Sequence, residues 1–167
     1  MKKIVIFFTI SFTLVLFCMS SQASERGPVT NLPIPRYVSL KASEGNLRRG
    51  PAKAHRIDWV LKHKDQPLKI LAEHEHWRRV SDYEGATGWI YYALLSGVRT
   101  VLVNESLISL YRKPSKDSSV KAKVEFGAIG NLRSCNTDWC NVSFPEMSGW
   151  IEKNKLWGTT PDEIFPP

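Results

Sequence analysis

Pro67-Leu68-Lys69-Ile70-Leu71 and Trp77-Arg78-Arg79-Val80 interleave apolar and charged side chains over strand-length runs, and a period of two sends successive side chains to opposite faces of a sheet. Ser81-Asp82-Tyr83-Glu84-Gly85 and Pro145-Glu146-Met147-Ser148-Gly149 supply turn chemistry, because Gly, Asp, Asn, Ser and Pro adopt or preset turn dihedrals. After the first 23 residues, no stretch holds a helical period over three turns. Short strands separated by turns predict an all-β sandwich or small barrel.

The pattern also repeats. Asn46-Leu47-Arg48-Arg49-Gly50-Pro51, Trp77-Arg78-Arg79-Val80 and Gly88-Trp89-Ile90 are followed in the same order by Ser109-Leu110-Tyr111-Arg112-Lys113-Pro114, Trp139-Cys140-Asn141-Val142 and Gly149-Trp150-Ile151. Proline and first tryptophan lie 26 residues apart in one series and 25 in the other; the two tryptophans lie 12 and 11 apart. Two divergent copies of one domain account for this economically.

At the N-terminus the pattern changes. Lys2 and Lys3 precede an apolar run from Ile4 to Phe17, and Ser21 and Ala23 place small residues two apart. This is the plan of a secretory signal, with cleavage between Ala23 and Ser24. The apolar run is shorter than the roughly 20 residues of a spanning helix and is interrupted by Thr9, Ser11 and Thr13, so no stable membrane anchor is expected after cleavage. Phe17 before Cys18 is too bulky for a lipoprotein signal. Export places the mature chain in the periplasm or outside the cell.

Cleavage leaves 144 of 167 residues, and loss of Lys2 and Lys3 lowers the formal charge from +7 to +5. The remainder divides into an extended leader over 24–36, a first copy over 37–97, a second over 98–158 and a loose tail over 159–167, the copies joined by Gly97–Thr100 and a strand at Val101–Val103. A unit of about 60 residues buries only about 60% of its chain surface and is marginal alone, so docking of the copies against each other would help.

Cys135 and Cys140 remain as an even pair around an Asn/Asp turn in an oxidising compartment, which reads as a disulfide at a hairpin tip. Zinc needs four ligands, and His55, His63, His74 and His76 all lie in the first copy. The same separation leaves the cysteines without a nearby base for catalysis. His74-Glu75-His76 places two imidazoles two residues apart, but at an expected hairpin tip, where exposed polar residues are ordinary. No catalytic residue, metal or cofactor is assigned.

Once the repeat is aligned, Asn-Leu-Arg-x-Gly-Pro (46–51), Pro-Leu-x-Ile-Leu (67–71), Trp-x-x-Val (77–80) and Gly-x-x-Gly-Trp-Ile (85–90) resemble the bacterial SH3 domain, in its exported tandem variety that closes on Leu156-Trp157-Gly158 and Pro161-Asp162-Glu163. The resemblance covers nearly the whole mature chain. The second copy departs at Ser109-Leu110-Tyr111 and at Lys113. The resemblance implies two SH3-like five-stranded barrels used for recognition, in many relatives of cell-wall peptides or glycan.

Aromatic residues crowd the first copy. Where Ile90 faces the core, alternation turns Trp89 outward. An outward row of Trp77, Tyr83, Trp89, Tyr91 and Tyr92 beside Arg48, Arg78 and Arg79 is therefore the candidate ligand face, suited to stacking and hydrogen bonding with extended peptide or glycan. The competing reading gives these rings to the core, the barrel ends or the contact between copies. Charge is spread, with +4 over 36–97 and +3 over 99–158. A basic chain often meets nucleic acid, but export makes that partner unexpected. The expected partner is peptidoglycan or its stem peptides, and the alternative is an envelope or secreted protein bound by an adaptor. The first copy is expected to be the recognising half and the second its structural companion.

Overall fold

The computed structural model describes residues 25–166, so the proposed signal and the Ala23–Ser24 cleavage point lie outside the described residues. The first copy contains β1 (Arg36–Leu40), β2 (Gly45–Arg48), β3 (Ile57–Leu61), β4 (Pro67–His74), β5 (Trp77–Ser81), β6 (Thr87–Tyr91) and β7 (Leu95–Ser96), with a 3₁₀ turn at Tyr92–Leu94. The second contains β8 (Thr100–Val103), β9 (Leu107–Tyr111), β10 (Val120–Glu125), β11 (Ile129–Cys135), β12 (Trp139–Ser143), β13 (Ser148–Glu152) and β14 (Leu156–Trp157), with a 3₁₀ turn at Lys153–Lys155.

Each copy forms one sheet, ordered β3-β2-β6-β5-β4-β1-β7 and β10-β9-β13-β12-β11-β8-β14. Substituting each strand by the one seven later converts the first order into the second, so the repeat read from sequence is a repeat of topology. Seven strands replace the expected five. The β2–β3 arm keeps its ladder pairing, and the residues after each 3₁₀ turn return to pair with β1 or β8.

Both cores are aliphatic. Leu40, Leu47, Leu68, Ile70, Val80 and Ile90 fill the first, and Val101, Val103, Ile108, Leu110, Val142 and Ile151 the second. Gly88 and Gly149 explain the repeated Gly-Trp-Ile: a Cβ at Gly88 would lie 2.7 Å from Leu47 Cβ, and one at Gly149 2.7 Å from Leu110 Cγ. The glycine lets β6 and β13 pass close to the neighbouring strand, and the isoleucine two residues on enters the core.

Both terminal segments depart from expectation. The leader is a closed loop: Arg26 bridges Pro33, the Gly27 amide donates to the Leu32 carbonyl, and Ile34 is buried in the first core. The tail is docked as well. Phe165 exchanges both backbone hydrogen bonds with Cys135, while the buried Lys153 ammonium donates to the carbonyls of Pro161 and Glu163 at 3.0 and 2.8 Å. A buried ammonium needs such acceptors, and in this fold the tail provides them.

At the junction of the copies Arg99 is fixed to the second, donating to the Gly158 carbonyl at 2.7 Å and pairing with Glu163 of the tail. Its guanidinium lies 5.6 Å from the Tyr37 ring and 5.5 Å from the Phe165 ring, within cation–π range. Tyr37 also meets Trp157 edge to face at 5.2 Å, and the Thr100 hydroxyl donates to the Asp65 carbonyl at 2.7 Å.

Candidate functional site

Antiparallel pairing of β5 with β6 sets Trp77 opposite Tyr91 and Arg79 opposite Trp89, while β2 sets Arg48 opposite Trp89. Because opposed residues share a face, Trp77, Arg79, Trp89, Tyr91 and Arg48 all stand on the side away from Val80 and Ile90, as the alternation predicts. The end of β4 and the β4–β5 turn add one histidine each to this edge, His74 and His76. His74 lies 6.4 Å from Trp89, and His76 lies 6.1 Å from Tyr91 and 5.7 Å from Tyr92. The Tyr91 and Tyr92 rings are 5.1 Å apart, and Tyr91 meets Trp77 edge to face at 5.8 Å.

Three residues of the expected row behave differently. Trp77 is covered, only 9% exposed, and serves as the floor under Tyr91. Arg78 is turned inward, not outward: it shares a face with Val80, is buried, and donates to the carbonyls of Glu75 and Trp77 at 2.9 Å each. Its guanidinium lies 5.9 Å from the Tyr92 ring, so it supports that ring from beneath. Tyr83 sits apart on the β5–β6 turn, where it meets Phe126 of the second copy at 5.9 Å. Arg48, with its guanidinium donating to the His55 carbonyl at 2.8 Å, and the exposed Arg79 remain as the basic members.

Behind Tyr92 the sequence concealed a polar centre. Glu73, with a fully covered side chain, accepts hydrogen bonds from the amides of Val29 and Thr30 at 3.0 and 2.9 Å and from the Thr30 hydroxyl at 2.7 Å. Arg36 pairs with it at 2.7 Å and Arg78 at 3.5 Å. Burial alone pushes the Glu73 carboxyl up, but the donors from Thr30, Arg36 and Val29 outweigh it and bring the pKa to about 2. Gly27 is part of the seat, since a Cβ there would lie 2.3 Å from the carboxylate. A groove of about 350 Å³ opens beside this centre, lined by Thr30, Leu32, Arg36, Arg78, Tyr92 and Ser96. One sequence cue for Arg78 was available, namely its spacing of two from core Val80; for Glu73 there was none, as its leader donors, Val29 and Thr30, lie more than 40 residues away.

Glu73 faces Arg78 across β4–β5, and the position that corresponds in the second copy is Cys135 facing Cys140 across β11–β12. The cysteines form the expected disulfide at that hairpin tip.

The second copy carries a larger groove, about 870 Å³, between the Pro114–Lys116 loop, the tip residues Thr137–Trp139 and Glu152–Asn154. Where the first copy has Tyr91 and Tyr92 over Trp77, the second has Glu152 and Lys153, and Trp139 becomes a groove wall. Hydrogen bonds from Lys116 and Lys155 hold the Glu152 carboxyl below the usual range. The space available for a ligand is thus not confined to the first copy. Among the described residues no three of His, Cys, Asp or Glu gather closely enough to hold a metal ion.

The family model described as "Bacterial SH3 domain" matches residues 41–97 and again 105–158. Among solved structures, NlpC2 from Trichomonas vaginalis matches with a TM-score of 0.35 at 14% identity over 74% of this chain and 48% of that one. An NlpC/P60 family protein from Bacillus cereus ATCC 10987 matches with a TM-score of 0.33 at 16% identity over 72% and 55%. NlpC1 from Trichomonas vaginalis matches with a TM-score of 0.35 at 14% identity over 78% and 48%. The chain thus spans about half the length of these structures, and at such values the likeness carries no functional argument. Comparison with curated proteins gives no match. With two matches that together span more than half of its length, the chain belongs to the bacterial SH3 domain family.

Proposed function

We propose that this protein is an exported, non-enzymatic binding module that recognises peptidoglycan or its stem peptides through the outer face of β5–β6. Bacterial SH3 domains are binding modules, often associated with the cell wall. The observation that carries the reading is the exposed Tyr91–Tyr92 pair, with rings 5.1 Å apart, held at a barrel edge beside His76, Trp89 and Arg79. Flat rings whose undersides are packed give up little conformational freedom on stacking against a sugar or peptide plane. Arg48 and Arg79 bring positive charge to wall carboxylates, and the groove lined by Arg36 and Tyr92 provides adjoining depth. The order of disposition, rings outside and guanidinium beneath, suits repeated weak contacts along a polymer.

Purified sacculi test this directly. The mature chain is expected to sediment with them at low salt, and the Tyr91→Ala/Tyr92→Ala double variant to remain in the supernatant. Recovery of the unaltered mature protein in the supernatant would remove the wall reading. Release of muropeptide fragments during the incubation would count against the non-enzymatic one.

A further inference from the structure

The two copies differ at their exposed sheet edges. Among the described residues, the strand at one end of each sheet pairs with one neighbour only, β3 with β2 and β10 with β9. Such an edge offers unpaired N–H and C=O groups to any extended chain, and proteins block this with charges, lysine above all. The ladder registers match strand to strand: Leu47 faces Trp59 as Leu110 faces Ala122, and Asn46 faces Val60 as Ser109 faces Lys123. Across this correspondence β10 carries Lys121 and Lys123, whose ammonium groups donate to the Ser148 carbonyl and the Ser109 hydroxyl. At the same positions β3 carries Asp58 and Val60, and Trp59 replaces Ala122.

The lysine guard present on β10 is therefore missing from β3. Ile57, Trp59 and Val60 are 40, 55 and 43% exposed, an apolar row on an open edge. Asp58, the strand's own acid, is held by Arg49 and Arg56 at 3.3 and 2.7 Å. Exposed Lys53, Arg56, Lys62 and Lys64 flank the row. Two copies of the chain pairing antiparallel about Trp59 would set Arg56 against Lys62 at both ends, and like charges directly opposed are destabilising. The charge asks for an acidic partner, and the open edge for an extended one.

We propose that β3 is a docking edge for an extended protein segment that alternates apolar and acidic residues, added as a further strand beside Ile57–Leu61 with Trp59 as its side-chain anchor. Main-chain hydrogen bonds supply affinity in this mode and alternate side chains supply selectivity. The site is separate from the ring pair at Tyr91 and Tyr92.

The test uses the mature chain and a fluorescein-labelled octapeptide alternating valine and glutamate, read by fluorescence anisotropy at low salt. Binding is expected, and is expected to weaken by about tenfold or more in three cases: glutamate replaced by lysine, alternate peptide amides methylated, or Val60→Lys, which installs the guard of the second copy. Trp59→Ala is the second variant should Val60→Lys fail to fold, and Tyr91→Ala/Tyr92→Ala is expected to bind the octapeptide unchanged. Absence of binding, equal binding of the methylated or lysine peptide, or indifference to both β3 variants overturns the proposal. So does a dimer of the unaltered chain in sedimentation that Val60→Lys abolishes, which would assign the edge to a second copy.

Discussion

Replacing Glu73 by glutamine keeps the shape of the side chain but removes the charge on which the leader, Arg36 and Arg78 converge. Bringing the carboxyl from the usual 4.5 to about 2 corresponds to about 3 kcal/mol, at about 1.4 kcal/mol per tenfold change in proton affinity. Removing one partner of a buried pair costs about 3–5 kcal/mol when the opposite charge is left uncompensated. Because Arg36 and Arg78 retain carbonyl acceptors, we expect Glu73→Gln to cost about 2–4 kcal/mol. The pH dependence has a definite sign. A carboxyl whose folded pKa is depressed stabilises fully above its unfolded pKa and loses that contribution as pH falls toward the folded value. Unaltered protein should therefore lose about 3 kcal/mol between pH 4.5 and pH 2 from this group, a component absent from the variant. Urea unfolding followed across pH 7 to 2 measures both quantities, and amide exchange at Val29 and Thr30 reports the leader itself. A variant within about 0.5 kcal/mol of the parent at pH 7, the ordinary range for surface substitutions, or one whose Val29 and Thr30 amides stay protected, would refute the reasoning.

Other outcomes follow from the same geometry. Gly88→Ala and Gly149→Ala each force a methyl into a 2.7 Å contact, and each should cost about 1–3 kcal/mol by overpacking; unchanged urea midpoints would contradict this. Cys135→Ser/Cys140→Ser should cost only about 2 kcal/mol, since the closed loop is short, while Phe165 amide exchange accelerates; a larger loss would mean that the bridge does more than close the loop. Arg99→Met should loosen the joint between the copies, read as a broader distance distribution in small-angle scattering, because it removes the contact with Tyr37 of the first copy together with the Glu163 pair and Phe165 contact that hold Arg99 in place for it. Glu163 has its own pH signature: burial raises its pKa, but Arg99 and Thr159 outweigh this and hold it below the usual range, so the stability it lends should fade as acidification passes through that range. Scattering that is unchanged in acid would contradict this.

Much of the architecture was legible because local rules and tertiary demands agree. Trp77 and Trp139 open β5 and β12, Gly88 and Gly149 lie where strands approach closely, and alternation around Ile90 places Trp89 outward. What could not be read depends on distant partners. Pro28, Pro33 and Pro35 suggest an extended leader, yet a carboxylate over 40 residues away folds it into a loop. Tyr83 resembles a member of the aromatic row by proximity in sequence, but the second copy brings Phe126 to it. The larger groove is walled by segments far apart in sequence, the Pro114–Lys116 loop, the Thr137–Trp139 tip and Glu152–Asn154, which only the fold brings together. Arg78 is a different case, since strict alternation from Val80 would have turned it inward.

At the corresponding positions Glu73–Arg78 and Cys135–Cys140 each copy meets a terminal segment: the Glu73 carboxylate accepts from the leader's Val29 and Thr30 amides, and the backbone of the disulfide-bonded Cys135 exchanges hydrogen bonds with Phe165 of the tail. A thiol reductant acts on the bridge beneath the Phe165 pairing and leaves the Glu73 carboxylate untouched, whereas protonating a carboxyl with a pKa of about 2 takes strong acid, which leaves the sulfur bond intact. The two ends thus answer to different reagents: reductant acts beside the tail and not at the leader, while acid reaches a carboxylate at each end, Glu73 over the leader and Glu163 in the tail.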